Sequence, residues 1–244
     1  MKIICFLSVL TLLGLRATGQ FVVQPLNYPS SGYWVWHISV ADAGHVWVGA
    51  IHEFGNPWAS VARTADGGLS WTHHPVPVPG NPSCTSVFAL NADTCFSVFV
   101  DNGQGGSVWR TADGGNSWTC LTSGQFAGGF ANFYHAFSAD SGLAMGDPTQ
   151  GFFEIQLTHD GGNTWTRVPG TALPAPLEGE NGTAGYYSSV GHTLWIPTTR
   201  GRLLKTTDRG LTWSVTQVVS GLTSNFDVCF ATEQKGAFWS QMDN

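Results

Sequence analysis

The chain has little charge for a soluble protein. Asp, Glu, Lys and Arg make up 11% of its 244 residues, and lysine occurs three times; the average soluble domain has about 25% charged residues. Helical bundles and coiled coils need solvated Glu and Lys faces, and disordered chains combine high charge with few aromatic residues. The low charge and the 13% aromatic content therefore exclude these three classes.

The residues that are abundant favour strands and turns. The sequence holds 31 glycines and 11 tryptophans, and Val, Thr, Ser and Phe fill the segments between glycine-containing turns. This composition is typical of short β-strands joined by tight turns. The predicted fold class is therefore all-β.

The first 19 residues have the pattern of a secretory signal peptide. A basic start at Lys2 precedes an apolar run over residues 3–15 and a small-residue exit at 17–19. The run is too short to span a membrane. We predict that this segment is removed, that residues 20–244 form the exported domain, and that no membrane insertion follows.

Loss of Lys2 and Arg16 with the signal peptide would change the formal net charge from −6 to −8. An acidic chain is poorly suited to the phosphate backbone of nucleic acids, so we expect no nucleic-acid partner.

Four cysteines follow the signal peptide. Export would permit disulfides, but Cys95, Cys120 and Cys229 lie among Val, Leu and Phe residues. We expect these three to be buried thiols, and whether they or Cys84 form disulfides stays open. Neither a CxxC motif nor a Cys/His spacing suited to a metal occurs, so no metal site and no cofactor is predicted.

Four segments of the chain align without gaps, at residues 63–71, 110–118, 157–165 and 205–213. They share the pattern Thr-x-Asp-x-Gly-x-Ser/Thr-Trp, and their aspartates lie 47, 47 and 48 residues apart. Near-constant spacing of this kind indicates a repeat architecture. The shared residues are Asp66, Gly68 and Trp71; Asp113, Gly115 and Trp118; Asp160, Gly162 and Trp165; and Asp208, Gly210 and Trp213.

Each shared residue has a structural reason to recur. An Asp side chain accepts hydrogen bonds from backbone amides just ahead of it and closes a tight turn. Glycine adopts a positive φ without steric cost. The tryptophan stands where the next strand begins, and its ring can pack between neighbouring repeats. Each segment, here called a box, is therefore predicted to be a hairpin turn with a packing ring.

The segments around the boxes predict four strands per repeat. Four strands in about 47 residues match the blade of a β-propeller. Because an open end is costly in a repeat protein, we expect the chain to be part of a larger ring, although a strand near residues 21–26 could instead close a five-bladed one. The predicted blades lie near 33–74, 85–122, 132–168 and 184–218, with an incomplete blade at 225–244.

The boxes resemble the Asp-box (BNR) repeat of sialidases, some xyloglucan-cleaving glycosidases, sortilin-type receptors and photosystem II assembly factor-like propellers. The segments Gly146–Glu154 and Leu177–Glu180 are similar to a stretch of exported bacterial proteins described as photosystem II assembly factor-like or as glycosyl hydrolase BNR-repeat proteins. The resemblance implies a β-propeller. It leaves the activity open, because one fold hosts many functions.

The carboxylates that do not recur are the candidates for chemistry. Asp147, Glu178 and Glu180 lie in loops of the third blade, and Asp147 paired with either glutamate could form the acid and base of a glycosidase. Such pairs stand about 5–5.5 Å apart in retaining enzymes and about 6.5–9.5 Å apart in inverting ones. The alternative is that Asp147 caps a turn before Pro148 and that the glutamates are solvated.

Three further residues are candidate ligand contacts. Trp58 lies in a loop found only in the first repeat and could stack on a sugar or cover a blade edge, and Glu154 lies in the third blade. His135 stands in an apolar segment and is expected to line the core or a central channel. Sialidase activity is not expected, because the arginines hold box-related or hairpin positions and form no evident cluster for a substrate carboxylate.

The sequence as a whole predicts an exported β-propeller that binds or assembles, taking a protein segment or a glycan as its partner, without catalysis. The alternative is a glycoside hydrolase or a related carbohydrate-active enzyme with a carboxylate pair. The oligomeric state stays open.

Overall fold

A computed structural model describes residues 24–28, 32–52, 59–101 and 105–240 of the chain. Within these ranges the chain forms eighteen β-strands and one short 3₁₀ helix, Gly170–Ala172. None of the described helical structure is long and apolar enough to cross a membrane. The predicted signal peptide at 1–19 and the candidate contact Trp58 lie outside the described residues.

The strands form five antiparallel sheets in chain order, four with four strands and one with two. The first sheet contains β1 (Tyr33–Val40), β2 (Val46–His52), β3 (Ser60–Thr64) and β4 (Thr72–Pro75). The second contains β5 (Pro82–Ala89), β6 (Cys95–Asp101), β7 (Gly105–Thr111) and β8 (Thr119–Cys120). The third contains β9 (Ala131–Ala136), β10 (Gly142–Thr149), β11 (Phe152–Thr158) and β12 (Thr166–Arg167).

The fourth sheet contains β13 (Ser188–Val190), β14 (Thr193–Pro197), β15 (Arg202–Thr206) and β16 (Ser214–Gln217). The fifth contains β17 (Phe226–Thr232) and β18 (Lys235–Ser240). Consecutive four-stranded meanders of this kind are the blades of a β-propeller, so the predicted fold class is confirmed.

The core lies between consecutive sheets. Trp47 of the first sheet packs in one cluster with Val87 of the second. Other clusters join the second sheet to the third, the third to the fourth, and the fourth to β17. Because both faces of a middle blade are covered, an inner strand can be buried along its whole length: all six residues of β9 are buried, including Asn132 and His135. Each sheet is therefore held by its neighbours.

The box turns repeat one hydrogen-bond pattern. In the second blade, Asp113 Oδ1 accepts hydrogen bonds from Ser117 N and Thr111 Oγ1, both at 2.9 Å, and Ser117 Oγ donates to Oδ2 at 2.6 Å. Gly115 N donates to Thr111 Oγ1 at 2.9 Å, and its φ of +94° favours glycine. The other three boxes repeat these contacts.

Three of the four box tryptophans contact the preceding blade. The Trp118 ring meets Trp47 edge-on at a centroid distance of 6.3 Å. Trp165 Nε1 donates to Leu121 O at 2.9 Å. Trp213 packs against a cluster that includes Leu143 and Leu157 of the third blade. The three tryptophan side chains are partly buried, and their contacts link each box turn to the sheet before it.

Acid is expected to weaken the fold through the box turns. Hydrogen bonds from the Ser117 hydroxyl and amide and from Thr111 lower the pKa of Asp113 to about 2, and the pKa values of Asp66 and Asp160 are likewise about 2. A carboxyl with a lower pKa in the folded chain stabilises it above the unfolded pKa, and that contribution is lost as pH falls from about 4 to about 2. Thermal unfolding across this range checks the prediction, and Asp113→Asn should show a shallower pH dependence than the wild type.

The cysteine prediction was wrong for two of the three positions. Cys95 is buried, as is Cys84, but Cys120 and Cys229 are exposed, and all four are free thiols. Cys120 lies on the short outer strand β8, and Cys229 lies on β17 of the two-stranded sheet. Apolar neighbours in the sequence did not imply burial there, because no further described strand covers these positions.

Candidate functional site

A partly polar cavity of the described chain lies where residues from four of the five sheets and their loops come together. It has a volume of about 340 Å³ and draws on β1, β9, β10, the segment before β13, the turn after β14 and the residue before β17. Its lining consists of Trp36, Phe130, Asn132, Asp147, Asn181, Gly182, Ala184, Thr199 and Asn225.

Asp147 reaches this cavity from a bulge in β10. The pairing of β10 with β11 shifts between Gly146 and Pro148, so Asp147 stands outside the regular register. Proline has no N–H for a ladder hydrogen bond, which favours a bulge here. The bulge gives Asp147 a position that a regular strand residue would not have.

One of the two oxygens of the Asp147 carboxylate, Oδ1, accepts hydrogen bonds from described residues. Asn132 Nδ2 donates to Oδ1 at 2.9 Å and Gly182 N donates to it at 3.0 Å. No described residue donates a hydrogen bond to Oδ2. Burial raises the pKa of Asp147 more than these two hydrogen bonds lower it. The site thus holds one partly buried carboxylate with one oxygen left for a ligand.

Gly182 lets a distant loop approach Asp147. A Cβ at this position would stand 2.6 Å from Asn132 Nδ2, closer than real Cβ contacts allow. The glycine therefore brings the backbone of the loop before β13 against β9 and β10. Residues 35 positions apart in sequence, Asp147 and Gly182, meet in this way.

Glu180 is engaged in a buried ion pair. Arg202 Nε donates to Glu180 Oε1 at 2.8 Å, Arg202 Nη2 donates to Oε2, and Thr198 Oγ1 also donates to the carboxylate. Burial alone would raise the pKa of Glu180, but the hydrogen bonds from Arg202, Thr198 and Leu177 N lower it overall. Since Arg202 Nη2 also donates to Ala175 O, the pair ties the long loop to β15.

Glu178 is exposed, and its backbone carbonyl accepts a hydrogen bond from Arg200 Nε at 3.1 Å. Neither Glu178 nor Glu180 lines the cavity of Asp147. Among the described lining residues, Asp147 supplies the single carboxylate.

Glu154 and His135 lie in the protein interior, away from the cavity lining. Glu154 accepts hydrogen bonds from Phe126 N at 3.0 Å and from Gln156 Nε2 at 3.1 Å. His135 is buried against the rings of Phe88 and Tyr187, and burial lowers its pKa to about 4. His135 therefore belongs to the core, which was one of its two expected places.

A second cavity continues the first. It has a volume of about 250 Å³, is lined by Tyr186, Asn225, Phe226, Asp227 and Trp239, and shares Asn225 with the first cavity. The rings of Trp36 and Tyr186, one from each cavity, meet edge-on at 6.4 Å. We call the two cavities together the inner groove.

The residues missed by sequence reasoning are amides and aromatics of this groove. Asn132, Asn181 and Asn225 do not recur between blades, and their position outside the repeat was a signal that a search restricted to carboxylates overlooked. No group of three or more His, Cys, Asp or Glu residues in the described ranges could hold a metal ion.

The solved structures that share the fold at a TM-score above 0.5 include the following two. A protein of unknown function from Dyadobacter fermentans has a TM-score of 0.57 and 13% identity, with 77% of this chain and 70% of that chain covered. An ancestral GH74 enzyme has a TM-score of 0.53 and 18% identity, with 83% of this chain covered. This chain spans 26% of that enzyme's length. At these identities the similarity shows the fold alone.

A structure described as YCF48 bound to D1 peptide covers 89% of this chain and 96% of its own, at 16% identity and a TM-score of 0.42. That TM-score is too low to transfer a ligand. No protein-family model matches the sequence, and no curated protein matches it.

Proposed function

We propose that this chain is a β-propeller binding scaffold whose inner groove receives an extended segment of another protein and leaves it chemically unchanged. The observation that carries the proposal is the set of side-chain amides in the groove. Asn181 and Asn225 are exposed, and their side chains make no hydrogen bond with a described residue. Each amide offers a donor and an acceptor, as a peptide group does, so the two can pair with an extended backbone.

The carboxylates favour binding over hydrolysis. A glycosidase of the usual kind needs an acid and a second carboxylate on either side of the scissile bond. Glu180 is occupied by Arg202 and Thr198, and Glu178 is exposed outside the groove. Neither glutamate therefore supplies the second carboxylate that the glycosidase alternative predicted beside Asp147.

The repeat type and the location of the protein belong to the same proposal. The four box turns support assignment to the Asp-box (BNR) type of propeller, in line with their shared Asp, Gly and Trp residues. We further propose that residues 1–19 are removed on export, which the basic start and the apolar run of that segment support. A bacterial source is what the resemblance to exported bacterial Asp-box proteins implies.

The proposal is tested by probing immobilised peptide and glycan arrays with the wild type and with the double variant Asn181→Ala/Asn225→Ala. We expect the wild type to retain peptides, and the double variant to bind them about tenfold more weakly through loss of two hydrogen bonds. Asn116→Ala is the matched control, because this exposed amide lies on a box turn and not in the groove.

Peptide binding that the double variant leaves unchanged would contradict the proposal. So would retention of glycans alone, which would assign the groove to the other ligand class.

A further inference from the structure

Four of the aromatic rings that line the inner groove remain accessible. Trp36 and Phe130 are each 39% exposed and Trp239 is 53% exposed. Tyr186 is half-buried, lines the same cavity as Trp239, and meets the Trp36 ring at a steep angle. Exposed apolar groups that are contiguous and rimmed by polar residues are typical of interaction sites. The groove therefore offers a ligand several π-faces.

A carboxylate accompanies these rings at each end of the groove. Asp227 pairs directly with Trp239 across β17 and β18, so both side chains stand on the same face of that sheet. Asp147 lies in the other half, with its Oδ2 free of hydrogen bonds from described residues. A cation in the groove would meet a carboxylate and a ring at once.

In the described ranges, no Lys or Arg side chain neutralises these carboxylates. All eight Lys and Arg residues beyond the predicted signal peptide lie in the described ranges, and none lines the groove. His37 is the basic residue whose charge would act on Asp227. Burial lowers the pKa of His37, so its imidazole is neutral near pH 7. The groove thus carries uncompensated negative charge.

Elsewhere the chain covers tryptophan rings with its own cations. The Arg63 guanidinium lies 5.2 Å from the centroid of a Trp47 ring, and Lys205 Nζ lies 5.4 Å from that of Trp195. Contacts at this distance are favourable cation–π interactions. In the described part of the chain the groove rings have no such cation.

We infer that the inner groove binds a lysine or arginine side chain of the protein segment it receives. The inference rests on the proposed function, since it names the residue type by which the segment is recognised. The cation would stand between Asp227 and the rings of Trp239 and Tyr186, while the amides of Asn225 and Asn181 hold the backbone beside it.

The test uses fluorescence polarisation with short Gly-Ser peptides that differ in one central residue: lysine, arginine, Nε-acetyl-lysine or norleucine. We expect the lysine and arginine peptides to bind the wild type about tenfold or more tightly than the two uncharged ones, and to bind more weakly as salt rises. Asp227→Asn and Trp239→Ala should each reduce this preference several-fold.

Glu178→Gln is the matched control, since it removes one exposed negative charge outside the groove and should leave binding unchanged. Asp227→Asn keeps a side-chain oxygen that can accept the hydrogen bond from Val228 N, so folding should survive the change.

Equal binding of the lysine and acetyl-lysine peptides would overturn the inference while the proposed function stands. Binding of none of the peptides, with glycans retained on the array, would overturn both. A Glu178→Gln effect as large as that of Asp227→Asn would show general charge attraction and would also overturn the inference.

Discussion

Replacing Glu180 with alanine is expected to lower the free energy of unfolding by about 3–5 kcal/mol, the cost of leaving a buried charge without its partner. Glu180 is 2% exposed, and its carboxylate is the partner of Arg202, whose side chain is itself largely buried. Without Glu180, Arg202 keeps its hydrogen bond to Ala175 O but loses the charge that compensates its guanidinium. Chemical denaturation monitored by circular dichroism measures the loss.

Glu178 provides the control for this experiment. It stands two residues away, belongs to the same loop and is exposed, so Glu178→Ala should change the free energy of unfolding by less than about 0.5 kcal/mol. Similar losses for the two variants would contradict the assignment of Glu180 to the anchoring of the loop. The comparison also separates two glutamates that the sequence presents as equivalent catalytic candidates.

Replacing Trp165 with alanine is expected to cost about 3 kcal/mol, the lower end of the range for truncating large aromatic side chains in a core, because its ring is partly buried. Its ring packs against the cluster between the second and third blades and meets Tyr134 edge-on at 6.1 Å. Its Nε1 donates to Leu121 O at 2.9 Å, so the change also removes a hydrogen bond between blades. Thermal and denaturant unfolding both report the effect.

Trp165→Phe separates the two contributions. Phenylalanine keeps most of the ring and loses the N–H, so the expected cost is near 1 kcal/mol, which is the usual net value of one hydrogen bond. A loss below about 1 kcal/mol for Trp165→Ala itself would contradict the view that box tryptophans hold neighbouring blades together.

The blade architecture was predictable because each box is determined locally. Asp113 binds Ser117 four residues ahead, and Gly115 binds Thr111 four residues behind. Contacts this short in sequence repeat wherever the residues repeat. The all-β fold and its turns therefore follow from the sequence pattern alone.

The groove was less predictable because it depends on contacts between distant segments. Asp147 meets Gly182 over 35 residues, and Asn225 joins the cavity from the segment before β17. Glu180 and Arg202 are separated by 22 residues, and neither belongs to the repeat. No spacing rule connects such positions. The sequence therefore offered Asp147 as a candidate residue, but it did not indicate the ion pair of Glu180 or the place of Asn181 and Asn225 in the groove.

The most direct test of the central claim, that the groove binds a ligand without transforming it, is mass spectrometry of the ligand after prolonged incubation. The ligands are the tightest peptide from the array and xyloglucan oligosaccharides, each incubated with the wild type and with Asp147→Asn. We expect every ligand to be recovered intact from both proteins. Cleavage of an oligosaccharide by the wild type that Asp147→Asn abolishes would contradict the claim and establish Asp147 as a catalytic residue.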